Sequence, residues 1–565
     1  MNNEISNIKY QISNSLKKIV KELTDLEIEP EITVNSDSSK GDYSTNVAMV
    51  AFGKIKNNRS NLKSATELAK QIVGLLNTKY LIPDTFRLIE AKEPGFINFY
   101  ISFKYLSESI SSLLIDKKTL KRVALEFGDP NPFKEFHIGH LRNIILGESL
   151  SRITEYLGNE PIRLNYQGDV GLHVAKATWG IQNSKFKIQN LNSKSLKEKA
   201  KFLGEAYARG AKAYEEDDSA KQNIVSINNK IYNNDPEIME IWKKGREWSL
   251  SAFEEIYKRL GTKYDGYYFE SQTAPLGKDI VLDHVDDGIF QKDDGAIIFK
   301  GSHTRVFVTG EGYSTYEAKD LALAHLKEKD LHPDISIIIT ANEQKEYFRV
   351  LLEALAKVNR EIADKTRHYS FGFVFLEDGK MSSREGNVIT AEWLLEETKK
   401  RLRYSFKETS DEALEALTVG AVKYSMLKFG RESDIRFSFD DSISLNGNSG
   451  PYLQYTYARI NTLVKNSKLK VKSLEFDGNL EKEEEEILRF LIHFPEVVEQ
   501  AGENFVPNLI ANYLYGLSQR FNLFYEKHRV IGSEKEGFRL ALSSAVGKVL
   551  KEGLYLLGIE SPEKI

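Results

Sequence analysis

Residues 123–166 constrain this chain more than any other stretch. Val123-Ala124-Leu125-Glu126-Phe127 is an apolar run of strand length, and a turn holding Pro130 and Pro132 follows it. From about 138 to 157 the apolar residues Leu141, Ile144, Ile145, Ile153 and Leu157 fall mostly on one helical face, and Ile162–Tyr166 returns to a strand. Strand, helix, strand is the unit of a parallel sheet, because parallel neighbours need a right-handed crossover. Further strands are expected at Ile335–Thr340 and Tyr369–Phe375, so the class is α/β.

At 565 residues the chain is too long for one ordinary core. Amphipathic helices over 5–24 and 64–78 flank Gly41–Asn46, and Gly95–Ile101 closes a small α/β domain spanning 1–115. The parallel-sheet domain takes 116–435, with a largely helical, Lys- and Glu-rich insertion at about 181–310 that ends in short strands around Gly288–Lys300. Long amphipathic helices at 482–500, 506–528 and 536–557 make 436–565 an all-helical C-terminal domain. The acidic run Glu481–Glu486 reads as exposed first turns of a helix, complementing its dipole.

The composition excludes several classes. Apolar residues at 41% and charged residues at 28% are those of a globular protein, and no stretch reaches a membrane span. The N-terminal residues lack the pattern of a signal peptide, which predicts a cytoplasmic protein. With no cysteine, and ten histidines without paired ligand spacing, no structural metal is expected. A balance of 78 basic against 82 acidic residues argues against indiscriminate phosphate binding and leaves local basic surfaces open.

Two segments carry chemistry. Pro130-Asn131-Pro132-Phe133-Lys134-Glu135-Phe136-His137-Ile138-Gly139-His140 lies between a strand end and a helix start, where free N–H groups, a positive dipole end and a glycine suit a nucleotide. Two histidines three residues apart can bond phosphate oxygens as a displacement at phosphorus proceeds. Alone, His-x-Gly-His also arises by chance or as capping residues. The second segment, Asp378-Gly379-Lys380-Met381-Ser382-Ser383-Arg384-Glu385-Gly386-Asn387, follows a strand, and its Lys380 and Arg384 could neutralise a leaving pyrophosphate. Alone it reads as a basic surface turn.

His137–His140 and Lys380–Arg384 together resemble the two signature motifs of class I aminoacyl-tRNA synthetases, HIGH and KMSKS. Asn165–Gly171, Thr315–Asp320, Gly450–Tyr455 and Leu556–Glu563 resemble arginyl-tRNA synthetases in particular, as do Gly41–Asn46 and Gly95–Phe99, so the similarity spans nearly the whole chain. The resemblance implies an N-terminal domain touching the tRNA elbow, a Rossmann-type catalytic domain, and a helical anticodon-binding domain. It implies ATP contacts from His137, Gly139, His140, Lys380, Met381, Ser382, Ser383 and Arg384, with ATP carried as its Mg2+ complex. Ser383 stands where KMSKS has its second lysine, and the resemblance implies that Lys134, just upstream of the first motif, compensates. Val170 stands where many relatives have tryptophan, which bears on local packing.

A guanidinium is planar, permanently charged and rich in donors, so an arginine pocket needs carboxylates and acceptors in fixed geometry. Tyr316 and Asp320, if helical, share a face. By resemblance this pair meets the guanidinium, joined by Glu270, while Glu126, Asn131 and Gln344 hold the amino-acid end or shape the pocket. Taken singly, Tyr316, Glu126 or Gln344 would read as structural. Tyr515, Gln519 and Asn522 mix aromatic and polar groups as an anticodon surface does, although aromatics at helical spacing are more often core. Tyr43 and Asn46 are candidates for elbow contact. The implied partners are L-arginine and tRNA-Arg, bound by a monomer whose activation step depends on tRNA. A small-molecule nucleotidyltransferase would lack a helical RNA-binding domain, and a non-catalytic RNA-binding relative would not need intact His137, His140, Lys380 and Asp320.

Overall fold

The computed structural model describes residues 4–35, 40–55, 62–80, 85–110, 121–185, 188–377, 389–467, 469 and 479–565. Its centre is a five-stranded, wholly parallel sheet in the order Thr366–Phe371, Ile335–Ala341, Arg122–Glu126, Glu160–Gln167, Gly266–Phe269. In chain order the first strand is central, the next two go to one side and the last two to the other. The crossovers therefore diverge between Arg122–Glu126 and Ile335–Ala341, and a crevice opens at the carboxyl ends of those strands.

The helix Ile138–Tyr156 packs on this sheet so closely that a Cβ on Gly147 would overlap the Phe127 ring. Its other faces are buried too, by the helices Asp411–Leu427 and Glu536–Leu556. That burial explains a helix without a polar stripe. From its first turns the Arg142 guanidinium donates to the carbonyls of Gly372, Phe373, Arg431 and Ser433. Those bonds end the expected strand Tyr369–Phe375 early. Thr366–Phe371 stays in the central sheet, whereas Val374–Leu376 leaves it and pairs in parallel with Ile435–Phe437.

The stretch read as a helical insertion is built from the helices Leu196–Glu216, Asp218–Tyr232 and Pro236–Arg259, and an antiparallel meander of Gln291–Asp293, Ala296–Lys300 and Thr304–Val308. Between them lies Gly266–Phe269, the edge strand of the central sheet. At four residues it is too short to show a period beside the long helices.

In the N-terminal region the helices Glu4–Thr24, Val47–Lys54 and Ala65–Lys79 accompany an antiparallel sheet ordered Thr33–Val34, Tyr43–Thr45, Phe96–Ile101, Phe86–Lys92. At the other end the expected helix 482–500 is two, Lys482–Leu491 and Phe494–Glu503, with Pro495 in the first turn of the second. The acidic run is not simply exposed. Glu484 is buried and bonded to Arg539 at 2.7 Å and Lys535 at 3.1 Å, and Glu483 pairs with Lys527 and His528. These pairs tie the helix Lys482–Leu491 to the last part of the chain.

Buried Lys423 closes the domain junction. Its ammonium donates to the carbonyl of Leu260, 2.5 Å away at the end of Pro236–Arg259, and to that of Gly558, just past Glu536–Leu556. An amine placed there donates to the unpaired carbonyls at two helix carboxyl ends.

Candidate active site

A cavity of about 760 Å³ fills the crevice predicted by the strand order. At one side His137 caps the helix Ile138–Tyr156. Its Nδ1 accepts from the Gly139 N–H at 3.1 Å, and Nδ1 of His140 accepts from the His137 N–H at 3.3 Å. The two rings stack with centroids 3.6 Å apart. Burial, reinforced by the nearby Lys134 ammonium, lowers His137 to about 4, and burial with His137 and Lys134 holds His140 well below its usual value. Both rings are therefore neutral near pH 7. Because each Nδ1 accepts, each Nε2 carries the proton and can donate to an anionic oxygen. In that state the histidines can act as hydrogen-bond donors without carrying a charge.

Lys134 is close enough to lower the pKa of both histidines but is not among the residues that line the cavity. Its ammonium sits 5.1 Å from the Tyr207 ring centroid, and its pKa is lowered by burial and by Lys176. Lys380, Met381, Ser382, Ser383 and Arg384 lie outside the described residues. The flanking chain is fixed beside the histidines: the Ile138 N–H donates to the Ile389 carbonyl at 3.0 Å and the Ala391 N–H to the Phe136 carbonyl at 2.9 Å.

The opposite end of the cavity is acidic. Tyr316 and Asp320 share the first turns of the helix Tyr316–Leu331, as the spacing requires, with Tyr316 59% exposed at the mouth. Burial pushes Asp320 up to about 8, and Glu126 and Glu270 add to the rise. Among the described residues no lysine or arginine pairs with it; the Tyr347 hydroxyl donates to its Oδ2 at 2.5 Å. Two of the other carboxylates have internal cations. Lys327 meets Glu126 at 2.7 Å and Lys319 meets Glu270 at 2.6 Å, all four side chains buried. Glu270 faces the cavity as expected, but as half of an ion pair. Asp129, with its pKa raised by burial and by Glu126, accepts from the Tyr166 N–H at 2.8 Å. Asn131 and Gln344 line the same space. Gly168 is required there, because a Cβ would collide with the Asn131 amide oxygen and crowd Glu270.

Lys319, Lys327, Asp129 and Tyr347 were not singled out in the sequence. Lys319 lies inside the Thr315–Asp320 segment and Lys327 two helical turns beyond it, whereas Tyr347 carries no local signal. Val170 is buried in a cluster with Phe133 and Trp248, so it does pack locally.

The tRNA candidates divide. Tyr43 is fully buried; its hydroxyl donates to Glu496 at 3.0 Å and its ring meets His493 edge-on. It joins the N- and C-terminal domains and is withdrawn as an elbow contact. Asn46 is half-buried at the start of Val47–Lys54. Asn522 is occupied within the fold, donating to Tyr452 at 2.9 Å and Thr456 at 3.1 Å and accepting from Arg459 at 3.0 Å. Gln519 is exposed and donates to Tyr515 at 3.0 Å. Beside them Arg459 lies between the exposed rings of Tyr455 and Tyr525, 5.0 and 5.4 Å from their centroids.

Residues 106–439 match the family of class I tRNA synthetase (R) catalytic domains, 6–101 the arginyl tRNA synthetase N-terminal domain, and 453–565 the DALR anticodon-binding domain. The chain belongs to the arginyl-tRNA synthetase family. The arginine–tRNA ligase of Phocaeicola vulgatus is similar to it at 31% identity over 614 residues, covering 99% of this chain and 100% of that one. The arginine–tRNA ligase of Fusobacterium nucleatum is 32% identical over 562 residues, covering 94% and 95%. Among solved structures, the Plasmodium falciparum arginyl-tRNA synthetase superposes with a TM-score of 0.81 at 25% identity, covering 100% of both chains. The Thermus thermophilus arginyl-tRNA synthetase shares the fold, with a TM-score of 0.78 at 22% identity over 98% and 99%. An arginyl-tRNA synthetase with an anticodon-binding domain leaves no room for the small-molecule nucleotidyltransferase reading, and full-length likeness to named ligases goes against a non-catalytic relative. No described helix is long and apolar enough to cross a membrane.

Proposed function

We propose that this arginyl-tRNA synthetase activates L-arginine with ATP and passes the arginyl group to the 3′-terminal adenosine of tRNA-Arg. The observation that carries the reading is the polarity of one cavity: two neutral imidazoles at a helix N-terminus face one end, and Asp320, a part-buried carboxylate that no lysine or arginine pairs with among the described residues, faces the other.

In the first step an arginine carboxylate oxygen attacks the α-phosphorus of ATP, and the bond to pyrophosphate breaks. His137 and His140 donate from Nε2 to phosphate oxygens as charge builds, and Lys134 adds a fixed positive charge beside them. Lys380 and Arg384 act on the leaving pyrophosphate. The guanidinium lies against Tyr316 and Asp320, while Glu126, Asn131, Glu270 and Gln344 shape the rest of the pocket. In the second step the 2′-hydroxyl of the terminal adenosine attacks the arginyl carbonyl carbon and AMP leaves. No protein nucleophile is needed.

Among the described residues no group of His, Asp or Glu could hold a metal ion. Magnesium would enter as the counter-ion of the triphosphate and neutralise its oxygens. The enzyme is proposed to act as a monomer, and its substrates are those of cytoplasmic translation.

Pyrophosphate exchange with each amino acid, with and without tRNA, tests the reading. Exchange with arginine in the presence of tRNA is expected. Exchange driven by another amino acid overturns the assignment, and robust exchange without tRNA overturns the tRNA dependence alone.

A further inference from the structure

Four carboxylates surround the deep end of the cavity, and the chain supplies two lysines to them. Lys327 is spent on Glu126 and Lys319 on Glu270. Asp129 is held by the Tyr166 N–H. Asp320 has no cation among the described residues, and its hydrogen-bond partner is the hydroxyl of Tyr347.

Tyr347 is itself tightly placed. It lies in the first turn of the helix Lys345–Val358, three residues after Gln344, so one turn carries both residues to the cavity. Its ring stands edge-on to Phe348 at 5.0 Å, and the Arg305 guanidinium lies 5.9 Å from its centroid. A phenol fixed this way holds one carboxylate oxygen, Oδ2, and leaves Oδ1 to the cavity. A guanidinium recognises a carboxylate in a defined plane, so fixing one oxygen fixes the direction in which the other accepts.

We propose that Tyr347 is a positioning residue for arginine selection, acting through Asp320. It does so in two ways. Its hydrogen bond sets the plane of the carboxylate, and because a hydroxyl donates to the ionised form, it favours ionisation of Asp320 against burial and against Glu126 and Glu270, with Lys327 on the same side. The inference rests on the arginine-activating reading of the same site.

The test is Tyr347→Phe in the full chain, assayed by pyrophosphate exchange with tRNA present. The KM for arginine is expected to rise about ten- to hundredfold, as for loss of a hydrogen bond to a charged group. kcat and the KM for ATP should stay within about threefold. The acidic limb of kcat/KM for arginine should move to higher pH, since the variant has lost a contact that lowers the Asp320 pKa. An unchanged arginine KM with an unmoved limb overturns the proposal. So does a joint loss of kcat, ATP binding and thermal stability, which would mark Tyr347 as a packing residue. If the parent chain does not activate arginine, the functional reading fails first; if it does and the variant matches it, only this inference fails.

Discussion

The hydroxyl of Tyr43 donates to the carboxylate of Glu496 at 3.0 Å, joining residues 453 positions apart. Next to it the Arg489 guanidinium grips both carboxylate oxygens of Asp42, with side-chain exposures of 9% and 2%. The N-terminal domain is thereby locked to the helical C-terminal domain.

Arg489→Ala should destabilise that junction by about 3–5 kcal/mol, because removing one partner leaves a buried charge uncompensated. Tyr43→Phe should cost about 1 kcal/mol. Denaturant unfolding measures both, and hydrogen exchange in Tyr43–Thr45 should rise first in the arginine variant. Equal stability of Arg489→Ala and the parent would show that the domains do not depend on the pair.

Lys134→Ala should lower pyrophosphate exchange about a hundredfold, the scale of losing a charge aimed at a phosphoryl transition state. Ser383→Ala should change it several-fold at most. Similar small losses in both would remove Lys134 from the role of the missing lysine.

Asp320 should make arginine binding depend on pH. With its pKa at about 8 in the free site, it holds a proton below that value, and a guanidinium must displace it. Affinity should therefore weaken as pH falls below about 8, by up to about tenfold per unit. Calorimetry in buffers of different ionisation enthalpy reads the released proton, and Asp320→Asn should abolish that release along with most of the affinity. Proton-free binding by the parent chain would contradict the assignment.

Lys423 should tie stability to alkaline pH. Burial, with Arg152 reinforcing it and Glu148 opposing it, brings its pKa from 10.5 to about 7. Between those values the unfolded chain binds the extra proton, so stability rises with pH across that window and is lost toward pH 7. Lys423→Met should show a smaller difference in denaturation midpoint between pH 7 and pH 9 than the parent. An undiminished difference would place the pH dependence elsewhere.

Local chemistry made much of this protein legible before folding. The strand, the proline turn and the helix start at His137 are set by neighbours within a few residues, and so is the one-turn spacing of Tyr316 and Asp320. Nothing local reports which side chain from a distant segment will sit beside a carboxylate. Lys327 reaches Glu126 across 201 positions, and Tyr347 reaches Asp320 from another element. The short strand Gly266–Phe269 likewise gains its place only by pairing with Glu160–Gln167.

Tyr43 shows the division most sharply. Period-two alternation puts it on one face of a strand, and that face reads the same whether RNA or another domain covers it. The sequence determined the parallel-sheet unit, the turn before His137 and the shared helical face of Tyr316 and Asp320, because backbone propensity and spacing are short-range. Tertiary structure alone decided which carboxylates of the cavity meet a lysine, Glu126 and Glu270, and which are held by hydrogen bonds, Asp129 and Asp320, since burial and charge pairing exist only once distant segments meet.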